Sequence, residues 1–437
     1  MLKGKTVAPL TLGCKVNQYE TDGMIELLKE AGMTAVSFEE KADVYLINTC
    51  SVTNMADKKS RQMIHRAKKL NPDAVVIAAG CYVQAAKDKL MEDDRISIII
   101  GNNKKKDIVQ ILEDYLEIGV TDEGMLDIAA EKEYEPLTIN STLEHTRAYV
   151  KIQDGCNQFC SYCIIPYVRG RIRSRELASI TEEVERLAQT GVKEIVLTGI
   201  HISSYGKDKE NEVGLADVID AISKIESIER IRLGSLEPGI ITDTFIDRIV
   251  DNKKVCPHFH LSLQSGCNTV LKRMNRKYTC EEYFEKCEML REAFDRPALT
   301  TDVIVGFPGE TDEEFQETVD YLTKLNLYEM HIFKFSPRQG TVAAGMRDQI
   351  GPEIKNQRSD VLLALSEKNK HAYEASFRGE TLEVLIEEKV RRNGKDGYRG
   401  HTERYIDIFV EEECMHRICG REVDIINHIV QIPYGME

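Results

Sequence analysis

The residues best placed to do chemistry are three cysteines in one short loop, Cys156, Cys160 and Cys163. Their spacing, C-x3-C-x2-C, lets three thiolates converge on one face of a metal centre, and no fourth cysteine is close enough to complete a tetrahedron. A [4Fe-4S] cubane held this way keeps one iron without a protein ligand, much as a catalytic metal keeps one position open. Spacing alone leaves two alternatives, a zinc ion completed by a distant ligand or three unrelated buried thiols. Zinc sites usually present two C-x2-C pairs, and no second pair or nearby C/H partner exists here. Cys14, Cys50 and Cys81 stand singly, each after a short strand-like run (TLG, INT, AAG). Parallel strands of an open α/β sheet aim their carboxyl ends into one crevice, so these three can also converge, and Gly13 and Gly80 suit tight turns there. The alternative is three small residues at strand ends, because free cysteine is commonly buried. Cys256, Cys267, Cys280, Cys287, Cys414 and Cys419 show no cluster spacing and read as buried or incidental thiols.

The elements that must position these residues follow from periodicity. The chain has 437 residues, 42% of them hydrophobic, which suits two or three soluble domains. Residues 1 to 117 alternate strand-like and helix-like stretches, the pattern of a doubly wound parallel α/β domain. Residues 118 to 146 are polar, acidic and poorly periodic, which suits a linker. Six strand candidates follow within 147 to 373, at 148–152, 194–198, 230–234, 258–263, 300–305 and 329–333, with amphipathic helices between them. Six βα units make a partial (β/α)6 barrel rather than a closed eight-stranded one, with its site at the strand carboxyl ends. Residues 374 to 437 change texture: TLEVLI at 381–386, YIDIFV at 405–410 and EVDII at 422–426, with glycines between, predict a small antiparallel β-barrel of about 60 residues.

Apolar runs are of strand length, far short of the roughly 20 residues of a membrane span, and the first residues lack a signal-peptide core. A cytoplasmic location without a membrane partner is expected, where twelve cysteines suit metal or redox work better than disulfides. The net charge of −15 does not exclude nucleic acid, because phosphate contacts need local patches. Basic residues cluster at 58–69, 169–175, 272–277 and 389–404. The last group interleaves with Tyr398 and Tyr405, which fits backbone tracking plus base stacking. The run GFPGE at 306–310 lacks a full phosphate-loop pattern, so nucleotide hydrolysis is disfavoured.

The triplet, with aromatic Tyr162 before its last cysteine, resembles the radical S-adenosylmethionine (SAM) enzymes. The stretch GCNQFCSYCIIPYVRGRIRSR at 155–175 resembles their methylthiotransferase branch. TLGCKVNQYE, NTCSVT and AAGCY resemble the ligand segments of that branch's N-terminal domain, while GETLEVL at 379–385 and GYRGHT at 397–402 resemble the RNA-binding TRAM domain. The resemblance implies two [4Fe-4S] clusters, a reactive one on Cys156, Cys160 and Cys163 and an auxiliary one on Cys14, Cys50 and Cys81. It implies S-adenosyl-L-methionine contacts at Tyr162, Gly199, Ser235, Glu237, Ser262, Gln264 and Val305. RNA contacts are expected at Arg173, Arg175, Lys389, Arg391, Arg392 and Arg399.

The activity implied is a radical attack on an aromatic C–H, with sulfur from the auxiliary cluster and methyl from a second S-adenosyl-L-methionine. The segment TLGCKVNQYET most resembles the branch that acts on N6-threonylcarbamoyladenosine at position 37 of the tRNA anticodon loop, fed by a reducing donor such as flavodoxin or ferredoxin. The competing substrates are isopentenyladenosine in tRNA and an aspartate of a ribosomal protein. An iron–sulfur RNA-binding sensor without catalysis is the reading from another class.

Overall fold

A computed structural model describes residues 1–119, 124–140, 146–210, 213–420 and 425–435. The N-terminal part is an all-parallel sheet of β1 (Thr6–Thr11), β2 (Thr34–Ala35), β3 (Val44–Thr49), β4 (Val75–Gly80) and β5 (Ile98–Ile100) in the order β2-β1-β3-β4-β5. Apolar side chains fill both of its faces. Val7, Leu46, Ile77 and Ile98 pack under the helices Lys15–Glu30 and Ile108–Ile118, whereas Tyr45, Ile47 and Val76 pack under Asn54–Leu70. This is the doubly wound arrangement the alternation predicts, and its strand order reverses between β1 and β3. Ligands bind such sheets at that switch point, where Cys14 and Cys50 lie.

The second part contains β6 (Arg147–Asp154), a short antiparallel β7 (Arg173–Ser174), β8 (Glu194–Gly199), β9 (Arg230–Leu233), β10 (His258–His260), β11 (Ala298–Val305) and β12 (Glu329–Lys334). β6-β8-β9 and β10-β11-β12 are parallel runs, joined by the parallel bridges Ile231–Val255 and Leu236–Leu261. All six barrel strands expected from periodicity are therefore present, in sequential order. Strand alternation sends Ala148, Val150, Ile152, Phe259, Val303 and Val305 outward into one core with the surrounding helices. Arg147, Tyr149, His258, His260, Asp302, His331 and Phe333 consequently face the barrel interior.

The C-terminal part is a curled antiparallel sheet of β13 (Thr381–Arg392), β14 (Lys395–Thr402), β15 (Asp407–Glu411) and β16 (Ile429–Pro433), in the order β15-β14-β13-β16, with a helix at Glu412–Cys419. Its last strand lies later than the expected one at 422–426, of which 422–424 fall outside the described residues. It docks on the amino-terminal end of the barrel. There Arg230 donates to the carbonyls of His401 and Glu383, and Arg232 donates to those of Glu403 and Thr402 while pairing with Glu194 at 2.7 Å.

The stretch expected to be a linker is packed where it is described, which corrects that expectation. Ile128, Leu137 and Ile139 are buried, and the Tyr19 hydroxyl donates to the Leu137 carbonyl at 2.6 Å. The polar residues around them hid these few apolar anchors. Residues 120–123 and 141–145 of that stretch lie outside the described residues.

Candidate active site

The loop of Cys156, Cys160 and Cys163 runs from the carboxyl end of β6, at the barrel mouth. Gly155 has φ +72, and a Cβ there would stand 1.8 Å from the Arg171 carbonyl oxygen, so only glycine lets the two chain segments pass this closely. The loop is tied down from outside: Ser161 donates from Oγ to the Arg273 carbonyl at 2.8 Å, and Asn275 donates to the Phe159 carbonyl at 2.9 Å. Burial, then the neighbouring Cys160, pushes the Cys163 thiol up to about 12, and burial pushes Cys156 up to about 11. A thiolate formed on either cysteine would need a nearby positive charge to be stable. Arg276 supplies one cation, donating to Cys160 Sγ at 3.2 Å while pairing with Glu237 at 2.6 Å.

Cys14, Cys50 and Cys81 lie at the ends of β1, β3 and β4, as the strand pattern predicts. Asn17 fixes two of those ends together, its side-chain amide donating to the carbonyls of Leu12 and Thr49 at 2.8 and 3.0 Å. Gly13 has φ +110, and a Cβ on it would come within 3.0 Å of Cys50 Sγ, which shows how closely the two loops approach. Burial raises the Cys14 thiol and pushes Cys50 up to about 11, and each of the two also feels Cys81. Arg169, fully buried, donates to Cys81 Sγ at 3.2 Å and to Asn17 Oδ1 at 2.7 Å. Each triplet thus receives one arginine N–H on one of its sulfurs.

The donor sets fit clusters better than single ions. A zinc–thiolate tetrahedron places its sulfurs about 3.8 Å apart, from Zn–S bonds of about 2.3 Å. Among the described residues, the one set of potential ligand atoms all within 4.8 Å of one another is His260, Asp302 and His331, not either cysteine triplet. In that set Asp302 accepts from His331 at 3.1 Å and faces His260 at 3.4 Å, the spacing of hydrogen-bonded pairs.

Beside the ends of β8 and β9 lies a cavity of about 610 Å³, walled mostly by stretches 205–207, 213–216 and 239–248, with Gln158 of the cysteine loop, His201, Ser203, Glu237, Lys277 and Tyr278 on its other side. Its size suits a nucleoside-sized ligand. Of the expected cofactor contacts, Glu237 lines it, whereas Gly199 pairs with Gln153 in the sheet and Ser235 is exposed. Ser262 offers its carbonyl to Tyr278, and Gln264, at φ +78, is buried and bonded to β11 through its backbone. Tyr162 packs beside Ile304, Phe307 and Phe335. Val305 is corrected: its side chain points outward into the barrel core, so Ile304 and Phe307 are the residues beside Tyr162.

Two expected RNA contacts are also corrected. Arg173 and Arg175 are buried, the first beside Asp154 and the second paired with Glu183 at 2.5 Å, and Arg175 also donates to the Tyr19 hydroxyl of the N-terminal part at 3.1 Å. Lys389, Arg391, Arg392 and Arg399 do share the exposed β13–β14 hairpin. Each lies near an acid there, Glu412, Asp396, Asp407 and Asp407 in turn.

Sequence reading missed Lys15, Glu20, Asp154 and His201 altogether. It noted Arg169 and Arg276 only as members of basic runs. No local pattern marks them, since their partners are distant in sequence. Lys15 directly follows Cys14, and burial, then Arg232 and Arg147, pushes its ammonium down to about 8.

A profile of the Radical SAM superfamily matches residues 150–322, and one of the Uncharacterized protein family UPF0004 matches residues 6–101. Fold and site together are those of a radical SAM enzyme. Threonylcarbamoyladenosine tRNA methylthiotransferase MtaB of Bacillus subtilis (strain 168) is 42% identical over 430 residues, covering 98% of this chain and 93% of its own. The tRNA-2-methylthio-N(6)-dimethylallyladenosine synthase of Thermoanaerobacter pseudethanolicus is 36% identical, over 94% of this chain and 89% of its own. The radical S-adenosylmethionine methyltransferase TsrM from Kitasatospora setae superposes with a TM-score of 0.58 at 16% identity, over 78% of this chain and 74% of that one, a likeness of fold alone. The chain belongs to the radical SAM tRNA methylthiotransferase family. No helix among the described residues is long and apolar enough to cross a membrane.

Proposed function

We propose that this protein converts N6-threonylcarbamoyladenosine at position 37, in the anticodon loop of tRNA, to its 2-methylthio derivative. The observation that carries the reading is the presence of two separate thiol triplets, one at the barrel mouth and one at the switch point of the sheet beside it, in a chain 42% identical to a relative of that name. Cys156, Cys160 and Cys163 would hold one [4Fe-4S] cluster, and Cys14, Cys50 and Cys81 the other. Bound there, the clusters and S-adenosyl-L-methionine supply the radical cleavage of the adenine C2–H bond and the sulfur and methyl group that replace the hydrogen.

The chain's own residues position and shield this chemistry. Arg276 spans Cys160 and Glu237 and so ties the cysteine loop to the rim of the cavity where the S-adenosyl-L-methionine would lie. Tyr162 packs against the cluster that contains Phe307 and Phe335 and so anchors the loop's apolar side. The division at 1–117, 147–373 and 374–437 assigns the auxiliary cluster, the radical chemistry and an RNA contact to successive parts. The exposed hairpin carrying Lys389, Arg391, Arg392 and Arg399 supports that RNA role, since surface ion pairs are weak enough to exchange for phosphate. A reducing donor such as flavodoxin or ferredoxin in the cytoplasm would serve the clusters.

The test is nucleoside mass spectrometry of methylthio-free tRNA incubated anaerobically with reconstituted protein, reductant and S-adenosyl-L-methionine. A methylthio derivative of threonylcarbamoyladenosine is the expected product. Conversion of isopentenyladenosine instead moves the substrate to the other tRNA branch. Untouched tRNA with S-adenosyl-L-methionine cleaved points to the ribosomal protein, and no cleavage at all leaves the sensor.

A further inference from the structure

Lys15 stands in the gap of the partial barrel. The two edge strands of the six are β6 and β12, and the Lys15 ammonium lies 6.0 Å from the ring centroid of Tyr149 on β6, within electrostatic reach of His331 on β12. His258, Arg147, Arg232 and, farther off, the Glu194 carboxylate are its other charged or titratable neighbours. The two arginines already have anions, Glu387 at 3.1 Å from Arg147 and Glu194 at 2.7 Å from Arg232. Among the described residues no carboxylate comes within 4.0 Å of the Lys15 ammonium. Lys15 is exposed and the His331 side chain is 51% exposed, so both are open to a ligand. An ammonium that loses its water there must gain an anion or a hydrogen-bond acceptor in exchange.

We propose that Lys15, with His331 on the opposite edge strand, forms an anion subsite that takes the carboxylate of the threonylcarbamoyl group. The inference rests on the substrate reading given above. A backbone phosphate offers the same charge, and the three RNAs compared below separate the two sources. Tyr149 is the third residue of β6, whose far end carries the cysteine loop, so the subsite lies on the order of 15 Å below the rim at about 3.3 Å per residue. A base extruded from its stack can carry its N6 substituent to such a depth. The helix start at Lys15 is fixed by Cys14, so the same turn that supplies a thiol to the auxiliary triplet also reads the substituent on N6.

The experiment measures equilibrium binding of three anticodon stem-loop RNAs to the cluster-loaded protein at fixed salt. One carries threonylcarbamoyladenosine, one carries it with the carboxylate capped as the amide, and one carries unmodified adenosine. Lys15→Gln, Lys15→Arg and His331→Gln are compared with the wild type at matched iron content. We expect the wild type to prefer the carboxylate over the amide by about tenfold, the scale of one charged hydrogen bond. Lys15→Gln should erase that preference, His331→Gln reduce it and Lys15→Arg retain it. Equal binding of carboxylate and amide by the wild type overturns the proposal. So does a Lys15→Gln variant that weakens all three RNAs alike, which would assign Lys15 to a phosphate. Wild-type protein that methylthiolates threonylcarbamoyladenosine while ignoring its carboxylate refutes the subsite alone, whereas failure to methylthiolate it refutes the substrate reading.

Discussion

Replacing Glu20 by glutamine keeps the shape of the side chain and removes one negative charge from the densest buried ion network of the molecule. Glu20, on the helix Lys15–Glu30, accepts from Lys105 at 3.0 Å, Lys151 at 2.7 Å and Arg169 at 2.6 Å, and all four side chains are at most 1% exposed. Lys151 and Arg169 belong to the barrel, so the network also joins the two parts. Removing one partner of a buried pair costs about 3–5 kcal/mol, because a charge is left uncompensated. Asp154 still faces Lys151 at 2.6 Å and Arg169 at 3.2 Å, which places the expected cost near the lower end, about 3 kcal/mol. Urea denaturation of the metal-free, reduced protein reads it: with a slope of about 3 kcal/mol/M, the midpoint falls by about 1 M. Burial alone would raise the Glu20 carboxyl, but Arg169, Lys105 and Lys151 hold it well below the usual carboxylate range. Its stabilisation is therefore complete above the unfolded value of 4.5 and fades as pH falls below it, so the gap between variant and wild type should close in acid. A midpoint shift under about 0.2 M at neutral pH would refute the reasoning.

Cys160→Ala should abolish formation of 5′-deoxyadenosine, while Cys14→Ala should spare it and stop methylthiolation; a Cys14→Ala protein that still modifies tRNA at full rate removes the auxiliary triplet from the mechanism. His331 should titrate above 6.5, because the hydrogen bond it donates to Asp302 favours its charged form. That pairing stabilises the fold below 6.5 and is lost as pH rises through the folded value, and NMR of Asp302→Asn should show the imidazole returning towards its ordinary range. Arg391→Ala combined with Arg392→Ala should weaken tRNA binding and lower the salt slope by about 1 to 2 units if both side chains meet phosphate. An unchanged slope would take the β13–β14 hairpin out of the RNA interface.

Much of this molecule is written locally. The six barrel strands and the parallel N-terminal sheet follow from apolar runs spaced by amphipathic helices, because burial of a strand between layers demands that pattern wherever it occurs. The ends of β1, β3 and β4 could be read too, and with them the crevice that gathers Cys14, Cys50 and Cys81. What stayed hidden depends on contacts across the chain. Arg169 touches Cys81 and Glu20 from 88 and 149 residues away, and Arg276 meets Cys160 across 116. Arg173 and Arg175 looked like a surface patch, since charge predicts exposure until a buried acid is brought to meet it. Val305 sits in an all-apolar run in which sequence cannot say which face turns inward. Types and spacing determined which chemistry the chain can hold; only packing the N-terminal part against the open side of the barrel decided which charges face it.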